Sequence, residues 1–190
     1  MKKIQILTVV TFLTISVSAQ DSKLSATLGY PFSLGDNFLA DFTGVADLGV
    51  QYRIIQAGVL DIGLSANGSY YVQSTPLSSV NVKENVILVQ PRVFMEINME
   101  TLKGFRPSFG LGYSFLNSKV KYENAQNQPG ELKDYTEGLN ASLGLAYDIT
   151  SRIFAFLSYD YIKVNRDNPN QDNDFFRNGS ILKLGAGFRF

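Results

Sequence analysis

The sequence predicts an all-β fold, an eight-stranded antiparallel up-and-down transmembrane β-barrel. Three observations support this prediction. Apolar and polar residues alternate along eight segments, the connections between the segments are alternately short and long, and aromatic residues collect at both ends of the apolar faces. Successive side chains of a strand point to opposite faces. In a barrel that crosses a membrane, the apolar face contacts lipid and the polar face lines the interior.

The last segment, residues 179–190, shows the alternation most clearly. One face is apolar and ends in aromatic residues, and it consists of Leu182, Leu184, Ala186, Phe188 and Phe190. The opposite face is mostly small or cationic, and it consists of Ile181, Lys183, Gly185, Gly187 and Arg189. We therefore expect the first face to meet lipid and the second to line the barrel.

The N-terminus has the pattern of a secretory signal peptide. Lys2 and Lys3 precede an apolar run over residues 4–17, and Ser18-Ala19-Gln20 offers small residues for cleavage after Ala19. The run is short for a membrane helix, although an uncleaved anchor is the alternative. We expect residues 1–19 to be removed and residues 20–190 to form the barrel domain. The chain contains no Cys, so neither a lipid-anchored cysteine nor a disulfide is expected.

The first four strands are expected over residues 23–34, 42–54, 59–72 and 85–98. Gly35-Asp36-Asn37 ends the first alternating run, and a tight connection near residues 56–58 ends the second. Asn67-Gly68 is a common hairpin signal, but the alternation passes through it unbroken and favours one strand. Pro91 lacks the amide hydrogen that a ladder needs, so we expect a bulge there. Residues 73–83 are expected to form a loop.

The last four strands are expected over residues 105–117, 135–149, 152–164 and 179–190. Residues 119–134 and 165–178 are polar and are expected to be long loops. In the seventh strand both faces carry aromatic residues, and we place Ser158 and Asp160 inside. The connections after strands two, four and six are short and the others longer, as in barrels with short periplasmic turns and long outer loops.

The expected outward aromatic residues fall at two heights. One group lies near the loop ends and comprises Tyr30, Phe32, Tyr70, Tyr113, Phe115, Tyr159 and Tyr161. The other lies near the turn ends and comprises Tyr52, Phe105, Tyr147, Phe188 and Phe190. Two aromatic girdles around an aliphatic belt are typical of a barrel that meets two membrane interfaces.

With these strands and the terminal Leu-Gly-Ala-Gly-Phe-Arg-Phe, the chain resembles the small eight-stranded outer-membrane barrels of the OmpA/OmpX-like, porin-related family. The resemblance implies a location in the bacterial outer membrane and contact with its lipid. It also implies that Phe188 and Phe190 form an assembly signal for the barrel assembly machinery. Because the sequence stops at Phe190, no peptidoglycan-binding domain like that of full-length OmpA is expected. We expect a monomer.

The expected interior face collects the ionisable residues of the strands. They are Asp47, Arg53, Asp61, Arg92, Glu96, Arg106, Asp148, Arg152, Asp160, Lys183 and Arg189. Acids and bases are nearly balanced, and the interior of eight strands is only wide enough for side chains. We therefore predict a structural network of ion pairs. The alternative is a narrow channel for ions or small solutes, lined by Arg92, Glu96 and Arg106.

The composition argues against several functions. The chain has 17 basic and 17 acidic residues, so no overall field favours nucleic acid. It has no His and no Cys, so imidazole bases and the usual zinc ligands are missing, and we predict no enzyme activity and no cofactor. Asp167, Asp172 and Asp174 have no calcium-loop spacing, and a solvated loop is favoured. The predicted function is a non-enzymatic barrel with a structural or surface-contact role. A second alternative is a soluble lipocalin-like binder of an apolar ligand.

Overall fold

A computed structural model describes residues 23–77, 80–123, 129–165 and 174–190 of the chain. The predicted signal peptide, residues 1–19, lies outside the described residues, so its cleavage stays a prediction. No helix in the described part of the chain is long and apolar enough to cross a membrane.

Eight antiparallel strands follow one another around a closed barrel, and the fold prediction is confirmed. They are β1 (Leu24–Ser33), β2 (Thr43–Ala57), β3 (Leu60–Leu77), β4 (Val80–Ile97), β5 (Phe105–Glu123), β6 (Pro129–Asp148), β7 (Ile153–Asn165) and β8 (Asn178–Arg189). Pairing of β1 with β8, from Ser25 opposite Arg189 to Ser33 opposite Ile181, seals the sheet. A 3-10 turn (Glu100–Leu102) precedes β5, and a short helix, α1 (Asp174–Arg177), precedes β8.

The two faces of the sheet differ as the alternation predicts. Leu48 on the outward face is 62% exposed, whereas its neighbour Asp47 on the inward face is fully buried. The outward face carries aliphatic residues along the middle of the strands. Outward aromatic pairs lie at both ends: Tyr30 and Phe32 have ring centroids 4.6 Å apart at the loop end, and Phe105 and Tyr147 have centroids 4.8 Å apart at the turn end.

Five strands, β2 to β6, are longer than predicted, and two predicted loops are mostly strand. β3 ends at Leu77 and β4 begins at Val80, so most of residues 73–83 lies in this hairpin. In the same way, β5 and β6 pair from Phe105 opposite Tyr147 out to Glu123 opposite Pro129. Beyond the apolar belt the outer face of a strand no longer contacts lipid, so it does not need to be apolar. Alternation therefore stops marking the strand, and a polar ladder has the appearance of a loop in the sequence.

The bulge expected at Pro91 is absent. The β3–β4 register runs through Ala66 opposite Pro91 without a shift. In the β4–β5 ladder the pairing is interrupted between Val89 and Arg92 but resumes in the same register. The pyrrolidine ring removes one donor without adding a residue, so a few hydrogen bonds are lost while the register is kept.

The register shifts lie in β2 instead, between Gly44 and Ala46 and between Arg53 and Ile55. The first shift leaves Val45 47% exposed, although strict alternation places it on the face of Asp47. An extra residue in one strand displaces the alternation locally, which explains the difference. The single strand preferred through Asn67-Gly68 is confirmed, since β3 is continuous there.

Candidate functional site

The interior of the barrel is the candidate site, and its charged side chains form two clusters. The turn-end cluster is centred on Glu96, which is buried and which β4 directs inward. Arg53 Nη2 lies 2.9 Å and Arg106 Nη1 lies 2.6 Å from Glu96 Oε1, so one carboxylate joins two guanidinium groups from different strands. Asp61 Oδ2 lies 3.7 Å from Arg53 Nε.

The same cluster continues to the last strand. Arg106 Nε donates to Asp148 Oδ1 at 3.0 Å, and Arg189 also donates to this oxygen. The ring of Phe154 lies close to both cations, with its centroid 5.3 Å from Arg106 Cζ and 4.8 Å from Arg189 Cζ. Aromatic faces attract cations at such distances. The terminal strand is therefore tied to β4, β5 and β6 through the interior.

The loop-end cluster is centred on Lys183, whose side chain is 1% exposed. Its Nζ lies 2.7 Å from Asp47 Oδ2 and 3.0 Å from Asp160 Oδ2. Arg92 Nη2 lies 2.6 Å from the same Asp160 oxygen. Two acids and two bases from four strands thus meet near the barrel axis.

Neutral polar side chains complete this cluster. Gln90 Oε1 accepts from Lys183 Nζ at 2.9 Å, and Asn140 Oδ1 accepts from Arg92 Nε at 2.6 Å. Ser69 and Asn67 donate to the two oxygens of Asp47 at 2.6 Å and 3.0 Å. A charge buried away from water needs such partners. Their inward parity signalled these roles in the sequence, but only the charged members were singled out.

Ten of the eleven predicted interior residues lie in these two clusters. Arg152 does not: it is exposed and precedes β7. Its backbone N–H donates to Thr150 Oγ1 at 3.2 Å, so it belongs to the β6–β7 turn. Parity alone cannot show that a strand begins one residue later. The remaining ten are five acids and five bases, so their formal charges cancel within the described residues.

A small cavity of about 60 Å³ separates the two clusters. Arg92 lines it on one side, Glu96 and Phe154 line it on the other, and serines such as Ser108 and Ser142 form part of the wall. This volume is large enough for a few water molecules.

An apolar layer closes the interior on the loop side of Lys183. None of its residues is more than 5% exposed, and it consists of Leu39, Tyr71, Val86, Leu88, Leu116, Ile162, Val164 and Ile181. Seven of these residues come from strands, and Leu39 comes from the β1–β2 loop. This layer was not among the predicted features. Its signal is that both parities become apolar near the loop ends, as in Tyr70-Tyr71 and Val86 to Val89.

The acidic loop residues give no metal site in the described part of the chain. Asp167 and Asp172 lie outside the described residues, and Asp174 begins α1. Among the residues that are described, no group of three or more His, Cys, Asp or Glu side chains is placed to hold a metal ion.

A closed sheet with an apolar outer face and an ion-paired interior defines an integral β-barrel membrane protein. Closure leaves no strand edge with unpaired backbone N–H and C=O groups, which lipid could not hydrogen-bond. Residues 6–190 match the family model described as outer membrane protein beta-barrel domain, and the chain belongs to this family. It is thus a bacterial outer-membrane protein, and its outward belt contacts the membrane lipid. The predicted resemblance and location are confirmed.

Several solved structures share the fold at low sequence identity. The chain is similar to Ail of Yersinia pestis, crystallised with the heparin analogue sucrose octasulfate, at 18% identity and a TM-score of 0.57, covering 88% of this chain and 96% of that one. It is also similar to the N-terminal barrel of Pseudomonas aeruginosa OprF, at 16% identity and a TM-score of 0.54, and the match covers 88% of this chain and 98% of that one. Neisserial surface protein A matches at 17% sequence identity with a TM-score of 0.52, and the match covers 87% of this chain and 94% of that one. The comparison with curated proteins found no match.

Proposed function

We propose that this protein is a non-enzymatic outer-membrane barrel whose interior is closed by its own side chains, and that its role is structural or one of surface contact. The observation that carries the proposal is that three barriers follow one another along the axis. They are the turn-end cluster around Glu96, the loop-end cluster around Lys183 and the apolar layer. Each is built from several strands, so each also holds the barrel wall together.

Opening a path through these three barriers is costly. A solute would have to separate Lys183 from Asp47 and Asp160, with side-chain exposures of 1%, 0% and 0%. Leaving one member of a buried pair without its partner costs roughly 3–5 kcal/mol. Beyond it the solute would also have to displace apolar side chains such as Tyr71 and Ile162. These costs favour a closed barrel over the narrow channel.

Planar-bilayer recording of the purified protein tests the closed interior. We expect no single-channel steps from the native protein, because the Lys183 ion pairs and the buried apolar layer lie between the small cavity and the loop end. The variant Tyr71→Ala/Glu96→Ala/Lys183→Ala removes one side chain from each of the three barriers and is expected to leak, which shows that inserted protein can be detected. Reproducible steps from the native protein at the same insertion density contradict the proposal and favour the channel.

The soluble-binder alternative fails on two findings. It requires the apolar faces to surround a central cavity, but the centre holds ion pairs and the apolar faces point outward, with Leu48 62% exposed. Membership of the outer-membrane family agrees with that orientation.

We also propose that the C-terminal strand is the signal for assembly. Phe188 and Phe190 are outward at the turn end, with ring centroids 5.2 Å apart, so a receptor can contact both rings along one strand. Phe188→Ala/Phe190→Ala is expected to lower the amount of folded barrel in cells while leaving refolding into lipid vesicles intact. Tyr30→Ala/Phe32→Ala, a matched pair at the loop end, serves as the control. Equal loss from both pairs would contradict a signal specific to the C-terminus.

A further inference from the structure

A second, larger cavity lies at the loop end, above the apolar layer. Its volume is about 630 Å³, within the range of small-molecule sites. On one side stands the extended part of β4, β5 and β6, and on the other lie the β1–β2 loop and α1. Phe38 N–H donates to the Phe175 carbonyl oxygen at 3.0 Å, which joins that loop to α1.

The floor and much of the wall of this cavity are apolar. The apolar lining residues are Phe38, Leu39, Phe42, Val86, Leu116, Val120, Leu132 and Phe175. Leu39, Val86 and Leu116 belong to the buried apolar layer, so the bottom is fixed by packing. Leu132, in contrast, is 60% exposed at the side of the cavity. An apolar ligand body placed here would cover surface that otherwise faces water, which is favourable.

The charges around the cavity are predominantly negative. Among the described residues that line it, Asp41, Glu84 and Asp134 are acidic, and Lys133 is the only cation. Lys133 Nζ lies 3.4 Å from Glu131 Oε1, so an acid outside the lining group offsets its charge. Glu84 is half-buried and accepts a hydrogen bond from Ser118 Oγ, which holds its carboxylate against the wall. Among the described residues, no salt bridge joins Asp41, Glu84 or Asp134 to a cation.

We propose that this cavity binds a small amphipathic cation, a molecule with an apolar or aromatic body and an ammonium group. The body would rest on Leu39, Phe42 and Leu116, and the ammonium group would face Glu84 with Asp41 and Asp134 at the rim. An anion would meet three carboxylates, and a neutral molecule would gain only the apolar contact. The inference does not depend on the closed interior, because the cavity lies entirely above the apolar layer.

The test uses the full mature chain in nanodiscs of zwitterionic phospholipid. The protein has no Trp, so Phe42→Trp introduces a single fluorescent reporter in the cavity wall. Phenethylammonium is titrated against two molecules of similar shape, neutral 2-phenylethanol and anionic phenylacetate. We expect saturable binding of the cation, roughly tenfold tighter than that of the alcohol, because hydrogen bonds to charged groups are the stronger ones. No binding of phenylacetate is expected.

Glu84→Gln in the reporter background is expected to remove most of the tenfold preference for the cation while leaving 2-phenylethanol binding unchanged. Glu137→Gln is the matched control, since Glu137 of β6 is not among the residues that line the cavity, and its Oε1 accepts from Tyr113 Oη at 3.4 Å. It should leave both affinities as they are. Equal binding of all three molecules, a non-saturating signal from partition into lipid, or an unchanged preference in Glu84→Gln would overturn the proposal. Channel recordings leave it unaffected.

Discussion

At the residue scale, the interior depends on single side chains that serve more than one partner. Glu96 Oε1 accepts from Arg53 and from Arg106, and Asp160 Oδ2 lies between Arg92 and Lys183. Each such acid links strands that are distant in sequence. Because four buried acids and the partly exposed Asp148 face five buried bases, the loss of one buried acid leaves an excess positive charge away from bulk water.

Glu96→Gln therefore tests the network at its centre. The amide keeps the shape of the side chain but removes the charge between two buried guanidinium groups. Removing one partner of a buried pair costs roughly 3–5 kcal/mol, so the free energy of unfolding from lipid vesicles, measured by urea titration, should fall by about that amount. Glu131→Gln, at an exposed pair, should change it little. A near-native midpoint for Glu96→Gln would mean that the network is not structural.

The identity of the interior residues was predictable, but their partners were not. Parity places Asp47, Arg92 and Lys183 on one face, and period two is a property of the backbone. Which cation meets which acid depends on strand tilt and register around the closed barrel. The sequence does not encode these directly, so the grouping into two clusters emerged only from the structure.

At the element scale, the β5–β6 hairpin extends well beyond the aromatic girdle of Phe115 and Tyr135, whose ring centroids lie 6.5 Å apart. Past that point Lys119 Nζ lies 2.9 Å from Glu131 Oε2 across the ladder. This part was expected to be a loop, because polar cross-strand pairs leave no hydrophobic pattern. Cross-strand ion pairs and backbone hydrogen bonds hold it instead.

The hairpin should be sensitive to acid. The hydrogen bond from Lys119, with a smaller contribution from Lys133, lowers the pKa of Glu131 from its ordinary value of 4.5. A lowered pKa contributes stability that is fully present above 4.5 and is lost as the pH falls through the folded-state pKa. Amide exchange near Lys119 and Glu131, corrected for intrinsic rates, should therefore be constant from pH 7 to about 5 and faster below that pKa.

Glu131→Gln supplies the comparison for the acid titration. The amide does not titrate, so the exchange rates of the variant should show no step over the same pH range. Amides of the belt, such as those near Leu48, should not respond in either protein. A step that persists in Glu131→Gln would assign the acid sensitivity to another group.

At the scale of the whole molecule, outside and inside are exchanged relative to a soluble protein. Leu48 and Ile149 have similar exposures, 62% and 59%, but they lie at different depths. Leu48 lies within the belt, four residues from Tyr52 at the turn end, whereas Ile149 lies in the β6–β7 turn. The two positions separate exposure from membrane depth.

Leu48→Arg should lower the free energy of unfolding in a bilayer by roughly 2–4 kcal/mol, whereas Ile149→Arg should change it by about 0–1 kcal/mol. The difference arises because lipid cannot solvate a guanidinium group as interfacial water does. Equilibrium refolding into vesicles measures both values. Similar costs at the two positions would mean that the belt is not at the depth we assign to it.

The strands of this barrel also differ in height, with β1 at 10 residues and β6 at 20. The barrel wall is consequently tall on the side of β6 and low on the side of β1. A macromolecule that approaches the loop end would contact the tall side first, where backbone pairing of β5 with β6 continues out to Glu123 opposite Pro129. Outward residues of the β5–β6 hairpin, such as Lys119 and Glu131, can change without disturbing the interior, because their ion pair lies on the exposed face of the ladder.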